Sequence, residues 1–271
     1  MVLFVDLFFL LNINRSFLMN RLFRAEGIIL KSIKLNEADK IVTIFSDDYG
    51  KIKAIAKGVR KTKSQFGSSM ENLTINRLLL YKGKNMNTIS QSEIINSFFS
   101  QSKDLFRYGL AINCAEIVDK LTVEEDPNKK LYNLFKNLLL LLEDEQNPVL
   151  LTESFKWKLF TLLGYKPELE RCIHCHNMFN KEGHYIFDIT KGGVSCFNCQ
   201  KNLGYYQIKM SAYLLKLLQR IQNANLEKIH NKIIDEPILL ELEKIADIYL
   251  KYHLEIENQS KHFLNRLKLF K

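Results

Sequence analysis

Two Cys-x-x-Cys pairs constrain the fold of this chain more than any other feature of its sequence. Cys172 pairs with Cys175 and Cys196 with Cys199, and twenty residues separate the two pairs. Each two-residue gap lets a tight turn aim two sulfurs at one ion, while the longer spacer folds back as a hairpin. Because all four positions are Cys, no coordination position is left for a catalytic water. We therefore predict a zinc ribbon holding one structural Zn²⁺.

Other interpretations of the cysteines stay open. The four could form two disulfides or remain free thiols, and His174 or His176 could replace one of the ligands. The fifth cysteine, Cys114, stands alone in an apolar, helix-like stretch and is expected in a core. A metal site together with one buried thiol indicates a reducing compartment.

Positive charge is concentrated in the amino-terminal part of the chain. The formal net charge of the 271 residues is +9, and residues 20–100 hold 14 Lys and Arg against 7 Asp and Glu. Such a surplus favours a polyanionic partner, either nucleic acid or an anionic membrane surface. The hydrophobic content of 46% is that of a globular protein, and the length allows two or three compact domains.

Residues 1–19 form an extension whose origin the sequence leaves open. The run from Val2 to Leu11 is apolar apart from Asp6, and it is too short to span a bilayer. A secretory signal would need a basic leader and a small-residue cleavage site, and neither is present. Upstream of Met19, a mis-assigned start or a poorly ordered extension fits this segment, and the alternative is a short helix packed on the body.

A barrel domain is predicted for residues 20–100. Alternating and β-branched residues predict five short strands with little helical periodicity between them. The predicted strands are Ala25–Lys34, Lys40–Ser46, Lys51–Lys57, Asn72–Tyr81 and Met86–Gln91. This pattern favours a barrel of the oligonucleotide/oligosaccharide-binding (OB) type, although an open meander fits the periodicity equally well.

The most concentrated basic segment is Lys57–Gly67, which we call the basic loop. Its cations can neutralise phosphates, Ser64 can donate to phosphate oxygens, and the ring of Phe66 can stack on a base. The alternative is a solvated loop with Phe66 packed into the barrel. The residues that we predict to bind DNA are Lys51, Lys53, Lys57, Arg60, Lys61, Lys63, Ser64 and Phe66.

The hydrophobic period becomes helical from residue 101 onward. The helical domain is predicted to comprise residues 101–169 and 207–271, with the zinc ribbon at 170–206 between its two parts. Gly164 is placed to end the helix that begins near Val149. The apolar stripes of these helices indicate core packing and imply no cofactor. The predicted helices with the clearest bounds are Leu131–Leu142, Val149–Leu163, Ser211–Gln222 and Pro237–Glu257.

Four local patterns, in order along the chain, resemble the bacterial RecO family. The first is Asp39–Ser46 with the later Lys57-Gly58-Val59-Arg60-Lys61, which is similar to the barrel signature of that family. Leu163–Leu169 before Cys172, and Gly192-Gly193-Val194-Ser195 before Cys196, are similar to the approaches to its two zinc knuckles. Tyr249–Leu254 followed by Lys261-His262-Phe263-Leu264 is similar to its carboxy-terminal motif. The family often has Gly where this chain has His176, and Arg where it has His262.

The resemblance implies an α+β multidomain protein: an N-terminal OB-fold β-barrel followed by an α-helical domain with an embedded four-cysteine zinc ribbon. It further implies a cytoplasmic, nucleoid-associated bacterial recombination mediator. Such a mediator binds single- and double-stranded DNA, anneals complementary strands, contacts the tail of the single-strand-binding protein (SSB) and works with RecR to load RecA. The candidate residues for the SSB tail are Lys251, Tyr252 and Lys261.

An enzyme is not expected. The chain has no nucleophile–base constellation, no Gly-rich phosphate-binding loop and no open metal site in its sequence. The alternative from another class is a zinc-ribbon transcription or translation factor that acts as a protein-binding module. Annealing of complementary strands would distinguish a mediator from such a factor.

Overall fold

The chain divides into two compact units. The computed structural model describes residues 21–98, 104–179, 183–199, 204–257, 260 and 264. The first unit contains the described residues up to 98 together with 122–132, and the second contains 104–121 and those from 133 onward. The extension predicted at 1–19 lies outside the described residues.

The first unit is a closed five-stranded barrel. Its strands are β1 (Leu22–Lys34), β2 (Lys40–Ser46), β3 (Gly50–Ala56), β4 (Thr74–Tyr81) and β5 (Asn87–Ser97). Their order around the barrel is β1-β2-β3-β5-β4, and antiparallel pairing of β1 with β4 closes it. β3 and β5 pair in parallel, and the other neighbours are antiparallel. The predicted OB barrel is confirmed, and the open meander is excluded.

The alternating burial along β3 shows which side of the strand lines the barrel. Ile52, Ala54 and Ala56 are buried, while Lys53 is exposed and Lys51 is half-buried. Successive side chains of a strand point to opposite faces, so the apolar set fills the barrel and the lysines face outward. The hairpin of β2 and β3 therefore presents lysines on its outward face.

Residues 122–132 belong with the barrel, although they were expected in the helical domain. The backbone of Glu124 forms an isolated parallel bridge with Lys51, and the N–H of Glu125 donates to the Lys51 carbonyl at 3.2 Å. The ring of Tyr132 lies 5.8 Å from that of Phe45 between centroids. The sequence pattern missed this because a single bridge has no periodicity.

The second unit contains helices and a small sheet. The helices are α1 (Leu105–Leu121), α2 (Lys129–Leu142), whose first residues belong to the first unit, α3 (Pro148–Leu162), α4 (Ala212–Asn223) and α5 (Glu236–Leu254). The side chain of Asn147 caps α3 by accepting from the Leu150 N–H at 3.1 Å. After α3, Gly164 takes φ +87° and the N–H of Tyr165 donates to the Phe160 carbonyl, so the predicted stop is confirmed. No helix among the described residues combines the length and apolarity needed to cross a bilayer.

Helix α3 is buried on more sides than its apolar stripe predicts. Phe155 and Leu159 are fully buried as expected, but Glu153 and Lys156 are buried as well. The Lys156 ammonium lies 2.7 Å from a Glu153 carboxylate oxygen and 3.2 Å from one of Asp247. Burial lowers the pKa of Lys156, but the charge and the hydrogen bond of Glu153, together with smaller contributions that include the charge of Glu243, outweigh it and the pKa is raised. The lysine is therefore held as a charged member of a buried cluster.

A three-stranded sheet follows α3 and packs on the helices. Its strands are β6 (His184–Asp188), β7 (Gly193–Cys196) and β8 (Gln207–Ser211), in the order β7-β6-β8. Phe187 of β6 places its ring 5.9 Å from Trp157 of α3 and 5.7 Å from Tyr249 of α5. This aromatic cluster supplies the apolar burial that so small a sheet cannot provide alone.

Candidate metal centre and nucleic-acid interface

The basic loop carries a set of exposed cations on a fixed backbone. Lys57, Arg60, Lys61 and Lys63 are all exposed. Two successive turns shape the loop, because the N–H of Lys61 donates to the Gly58 carbonyl at 3.1 Å and the N–H of Ser64 donates to the Lys61 carbonyl at 3.0 Å. The predicted cations are thus brought together on one short loop of the barrel.

Two apolar side chains anchor this loop. Val59 is 8% exposed and Phe66 is 4% exposed, and both pack in the barrel core. The ring of Phe66 has no exposed face on which a base could stack, which corrects the expectation that Phe66 is a stacking platform. Ser64 is half-buried, and its hydroxyl oxygen accepts from the Phe66 N–H at 3.2 Å. Both residues therefore shape the loop in this conformation.

The turn between β1 and β2 supports the start of the basic loop. A carboxylate oxygen of Asp39 accepts from the Gly58 N–H at 2.7 Å. Nη1 of Arg60 donates to the Asn36 carbonyl at 2.6 Å, and the Arg60 N–H donates to the Ala38 carbonyl at 3.0 Å. The Gly58 hydrogen bond lowers the pKa of Asp39, helped by one from Asn36. Sequence reasoning missed these supporting residues because their role depends on a contact between two loops.

The predicted lysines of β3 have a different environment from those of the loop. Nζ of Lys53 lies 2.6 Å from a carboxylate oxygen of Glu124, and this pair is about half exposed. Lys51 is half-buried, and its carbonyl accepts from the Glu125 N–H. An acidic segment absent from the sequence prediction therefore partly neutralises this side of the barrel.

The four predicted cysteine ligands come together in the second unit. The sulfurs of Cys172, Cys175, Cys196 and Cys199 all lie within 4.8 Å of one another. Among the described residues, no histidine, aspartate or glutamate joins this cluster. A tetrahedral ion with Zn–S bonds near 2.3 Å sets its ligand sulfurs about 3.8 Å apart. Sγ of Cys175 and Sγ of Cys196 are separated by 3.8 Å, so the cluster has the dimensions of a four-thiolate site.

The chemistry of the sulfurs also suits a divalent cation. Burial raises the pKa of Cys172, but backbone N–H groups, including those of Cys196 and His174, outweigh it and lower the pKa to about 6. The pKa of Cys199 is shifted in the other direction: it is raised to about 12, mainly by hydrogen bonding with the Cys196 sulfur. Four thiolates this close repel one another, and a dication would stabilise all of them at once.

The backbone before the second knuckle requires glycine. A Cβ on Gly193 would lie 2.6 Å from Cγ2 of Ile173, and Gly192 takes φ +63°. The N–H of Ile173 donates to the Val194 carbonyl at 3.0 Å, and the N–H of Val194 donates to the Glu168 carbonyl at 3.0 Å. These close approaches draw the two knuckles together, which explains the Gly-Gly pair seen in the sequence.

Two of the three candidates for the tail-binding site lie in one groove of the second unit. The groove has a volume of about 810 Å³ and lies between β8 and α5. Tyr205, which sequence reasoning missed, is 93% exposed, whereas Tyr252 is 42% exposed. Nζ of Lys251 lies 2.5 Å from a carboxylate oxygen of Glu257. Lys261 lies outside the described residues. The aromatic and basic lining residues are Tyr205, Tyr206, Lys209, Lys244, Lys251 and Tyr252.

Comparisons with known proteins agree with this architecture. The family model described as "Recombination protein O N terminal" matches residues 19–98, and the one described as "Recombination protein O C terminal" matches residues 102–262. The DNA repair protein RecO of Thermoanaerobacter sp. (strain X514) is 33% identical over 249 residues, which are 92% of this chain and 99% of the relative. That of Acetivibrio thermocellus is 32% identical over 249 residues, which are 92% of this chain and 98% of the relative. The chain therefore belongs to the RecO family, and its role is in recombinational DNA repair.

Proposed function

We propose that this protein binds single-stranded DNA along the basic loop, anneals complementary strands, and with RecR helps load RecA onto SSB-coated gaps. The observation that carries this proposal is the set of exposed cations at Lys57, Arg60, Lys61 and Lys63, held on a loop that the barrel core anchors. Family membership supports the repair role.

The loop suits a phosphodiester backbone for two physical reasons. Its cations stand on successive turns, so neighbouring phosphates can be neutralised without reading base edges. Arg60 uses one nitrogen to hold the Asn36 carbonyl and keeps other donors of its guanidinium for phosphate. Because the loop contacts phosphates and not base edges, the bases remain available for pairing with a second strand.

Annealing by this route needs no chemical turnover. Two strands repel each other through their phosphates, and bound Lys and Arg reduce that repulsion. We therefore expect a non-enzymatic mediator that acts on strands in the bacterial cytoplasm, at the nucleoid.

The ion in the cysteine cluster is proposed to be Zn²⁺ with a structural role. Cys172, Cys175, Cys196 and Cys199 would hold it, and when bound it crosslinks the two knuckles of the ribbon. The ribbon strands pack on Trp157 and Tyr249, so the ion would also stabilise the helical core against which the sheet lies.

The groove between β8 and α5 is proposed to bind the acidic, apolar tail of SSB. Lys209, Lys244 and Lys251 supply cations, while Tyr206 and Tyr252 supply apolar walls. Both side chains of the Lys251–Glu257 pair are exposed, and such exposed ion pairs contribute little to stability. A carboxylate of the tail can therefore replace Glu257 at small cost.

Titration of a fluorescent single-stranded oligonucleotide over a series of salt concentrations tests the DNA-binding proposal. The triple substitution Arg60→Ala/Lys61→Ala/Lys63→Ala should weaken binding and reduce the slope of log K against log salt by about 0.7 for each phosphate that the loop no longer neutralises. A matched control removes three exposed lysines of the second unit, Lys216, Lys228 and Lys232, and should keep the wild-type slope. An unchanged slope in the loop variant would place the DNA track elsewhere.

A further inference from the structure

An acidic segment, Glu124-Glu125-Asp126, lies against the outward face of the barrel. The backbone of Glu124 bridges Lys51 of β3, and the N–H of Glu125 donates to the Lys51 carbonyl at 3.2 Å. The segment therefore lies beside β3, the strand that carries the predicted DNA-binding residues Lys51 and Lys53.

Its carboxylates are paired with barrel cations. An oxygen of Glu124 lies 2.6 Å from Nζ of Lys53, and one of Glu125 lies 3.3 Å from Nζ of Lys82. Lys53 is on β3, and Lys82 is in the loop between β4 and β5. Strands 2 and 3 and the loop between strands 4 and 5 are the parts of an OB barrel that take oligonucleotides. The two glutamates thus occupy part of the face that a strand would use.

The backbone holds these carboxylates in place. Gly50 takes φ +67°, and a Cβ there would lie 2.2 Å from the Asp126 carbonyl oxygen, so the segment packs directly on the start of β3. On the other side, the Asn128 side chain accepts from the Leu131 N–H at 3.0 Å and caps α2. A side-chain rotation can break either ion pair, but it cannot carry the negative charge away from the barrel face.

We propose that Glu124 and Glu125 determine which face of the barrel a strand follows, by confining it to the basic loop. The proposal rests on the DNA binding proposed above. A phosphate approaching Lys53 or Lys82 meets a carboxylate that already neutralises the cation and repels the phosphate. At the basic loop, Lys57, Lys61 and Lys63 are exposed. The nearby carboxylate of Asp39 accepts a hydrogen bond from the backbone N–H of Gly58. The strand therefore binds at the loop through most of its phosphates.

The test compares single substitutions that each remove one negative charge from the barrel. Glu124→Gln and Glu125→Gln should each tighten the binding of a single-stranded oligonucleotide and steepen its salt slope by about 0.7, because one more lysine can then neutralise a phosphate. Glu93→Gln is the matched control, since Glu93 pairs with Arg77 at 3.0 Å on the exposed surface of the same barrel. It should leave the slope unchanged.

A second pair of substitutions locates the tighter binding. In the Glu124→Gln/Glu125→Gln background, Lys53→Ala/Lys82→Ala should return the slope to the wild-type value. Wild-type slopes in the two glutamate variants would overturn the inference while leaving the DNA-binding proposal intact. An equal increase in Glu93→Gln would overturn it too, since the effect would then be one of net charge. If the wild-type protein bound no strand, both proposals would fall.

Discussion

The carboxylate of Asp39 accepts a hydrogen bond from the backbone N–H of Gly58 at 2.7 Å, and this bond joins the turn between β1 and β2 to the start of the basic loop. Gly58 takes φ +68°, a conformation that side-chain-bearing residues rarely adopt. The bond fixes the point at which the chain leaves β3. The direction in which Arg60 and Lys61 project therefore depends on a residue that carries the opposite charge.

Two substitutions at Asp39 separate its hydrogen bond from its charge. Asp39→Ala removes the acceptor, so the Gly58 amide should exchange with solvent about fivefold faster, the effect expected of one hydrogen bond. Asp39→Asn keeps an acceptor oxygen and should preserve most of the protection. Amide hydrogen exchange followed by NMR measures both. Equal exchange rates in the two variants would mean that charge, and not the bond, orders the loop.

The same bond gives the loop a pH dependence. The Gly58 hydrogen bond lowers the pKa of Asp39 from its ordinary value of 3.8. A carboxyl group whose pKa is lower in the folded state stabilises that state fully above the unfolded pKa, and the contribution disappears as the pH falls through the folded pKa. Protection of the Gly58 amide, corrected for intrinsic exchange, should therefore hold above pH 3.8 and decline below it. Asp39→Asn should show no such decline.

Loss of one cysteine ligand tests the proposed metal centre. Cys172→Ser should release the metal and destabilise the second unit by about 4 kcal/mol or more, because the ribbon loses the ion that crosslinks it. Thermal melting together with metal analysis measures this. Cys114→Ala is the control, since Cys114 is buried away from the cluster and should keep the metal despite some loss of stability. Wild-type protein purified without chelator and found free of zinc would end the zinc assignment.

The proposed tail groove predicts a charge-dependent interaction. Lys251→Glu should weaken binding of an SSB tail peptide at least about tenfold, because it replaces a cation with a charge that repels the acidic peptide. Fluorescence titration measures the affinity. Lys216→Glu, an exposed lysine of the same unit outside the groove lining, is the matched control and should bind the peptide as the wild type does. Undiminished affinity in Lys251→Glu would remove that residue from the site.

Local patterns predicted much of this structure. The alternation of Ile52, Ala54 and Ala56 was sufficient to orient β3, and cysteine spacing was sufficient to predict the cluster that the fold assembles. The pattern places the ends of strands less accurately where the residues are polar. β5 was predicted to end at Gln91 but continues to Ser97, because its pairing with β4 stabilises residues that carry no apolar period.

Features that depend on distant contacts could not be predicted. The burial of Phe66 depends on a loop that folds back into the barrel, and that of Lys156 depends on Asp247, which is 91 residues away. The pairing of Lys53 with Glu124 joins a strand to a segment assigned to another domain. Glu153 lies only three residues from Lys156, but the Asp247 carboxylate, like the barrel core around Phe66 and the Glu124 partner of Lys53, is supplied by tertiary structure alone.

Annealing of complementary strands tests the central claim most directly. Labelled complementary oligonucleotides, bare or coated with SSB, are mixed with folded, zinc-loaded protein in the absence of nucleotide. The wild-type protein should accelerate annealing in both cases, because bound cations lower the repulsion between strands, and Arg60→Ala/Lys61→Ala/Lys63→Ala should lose most of the increase. A rate no higher than in the protein-free mixture would contradict the assignment of this chain as a strand-annealing mediator.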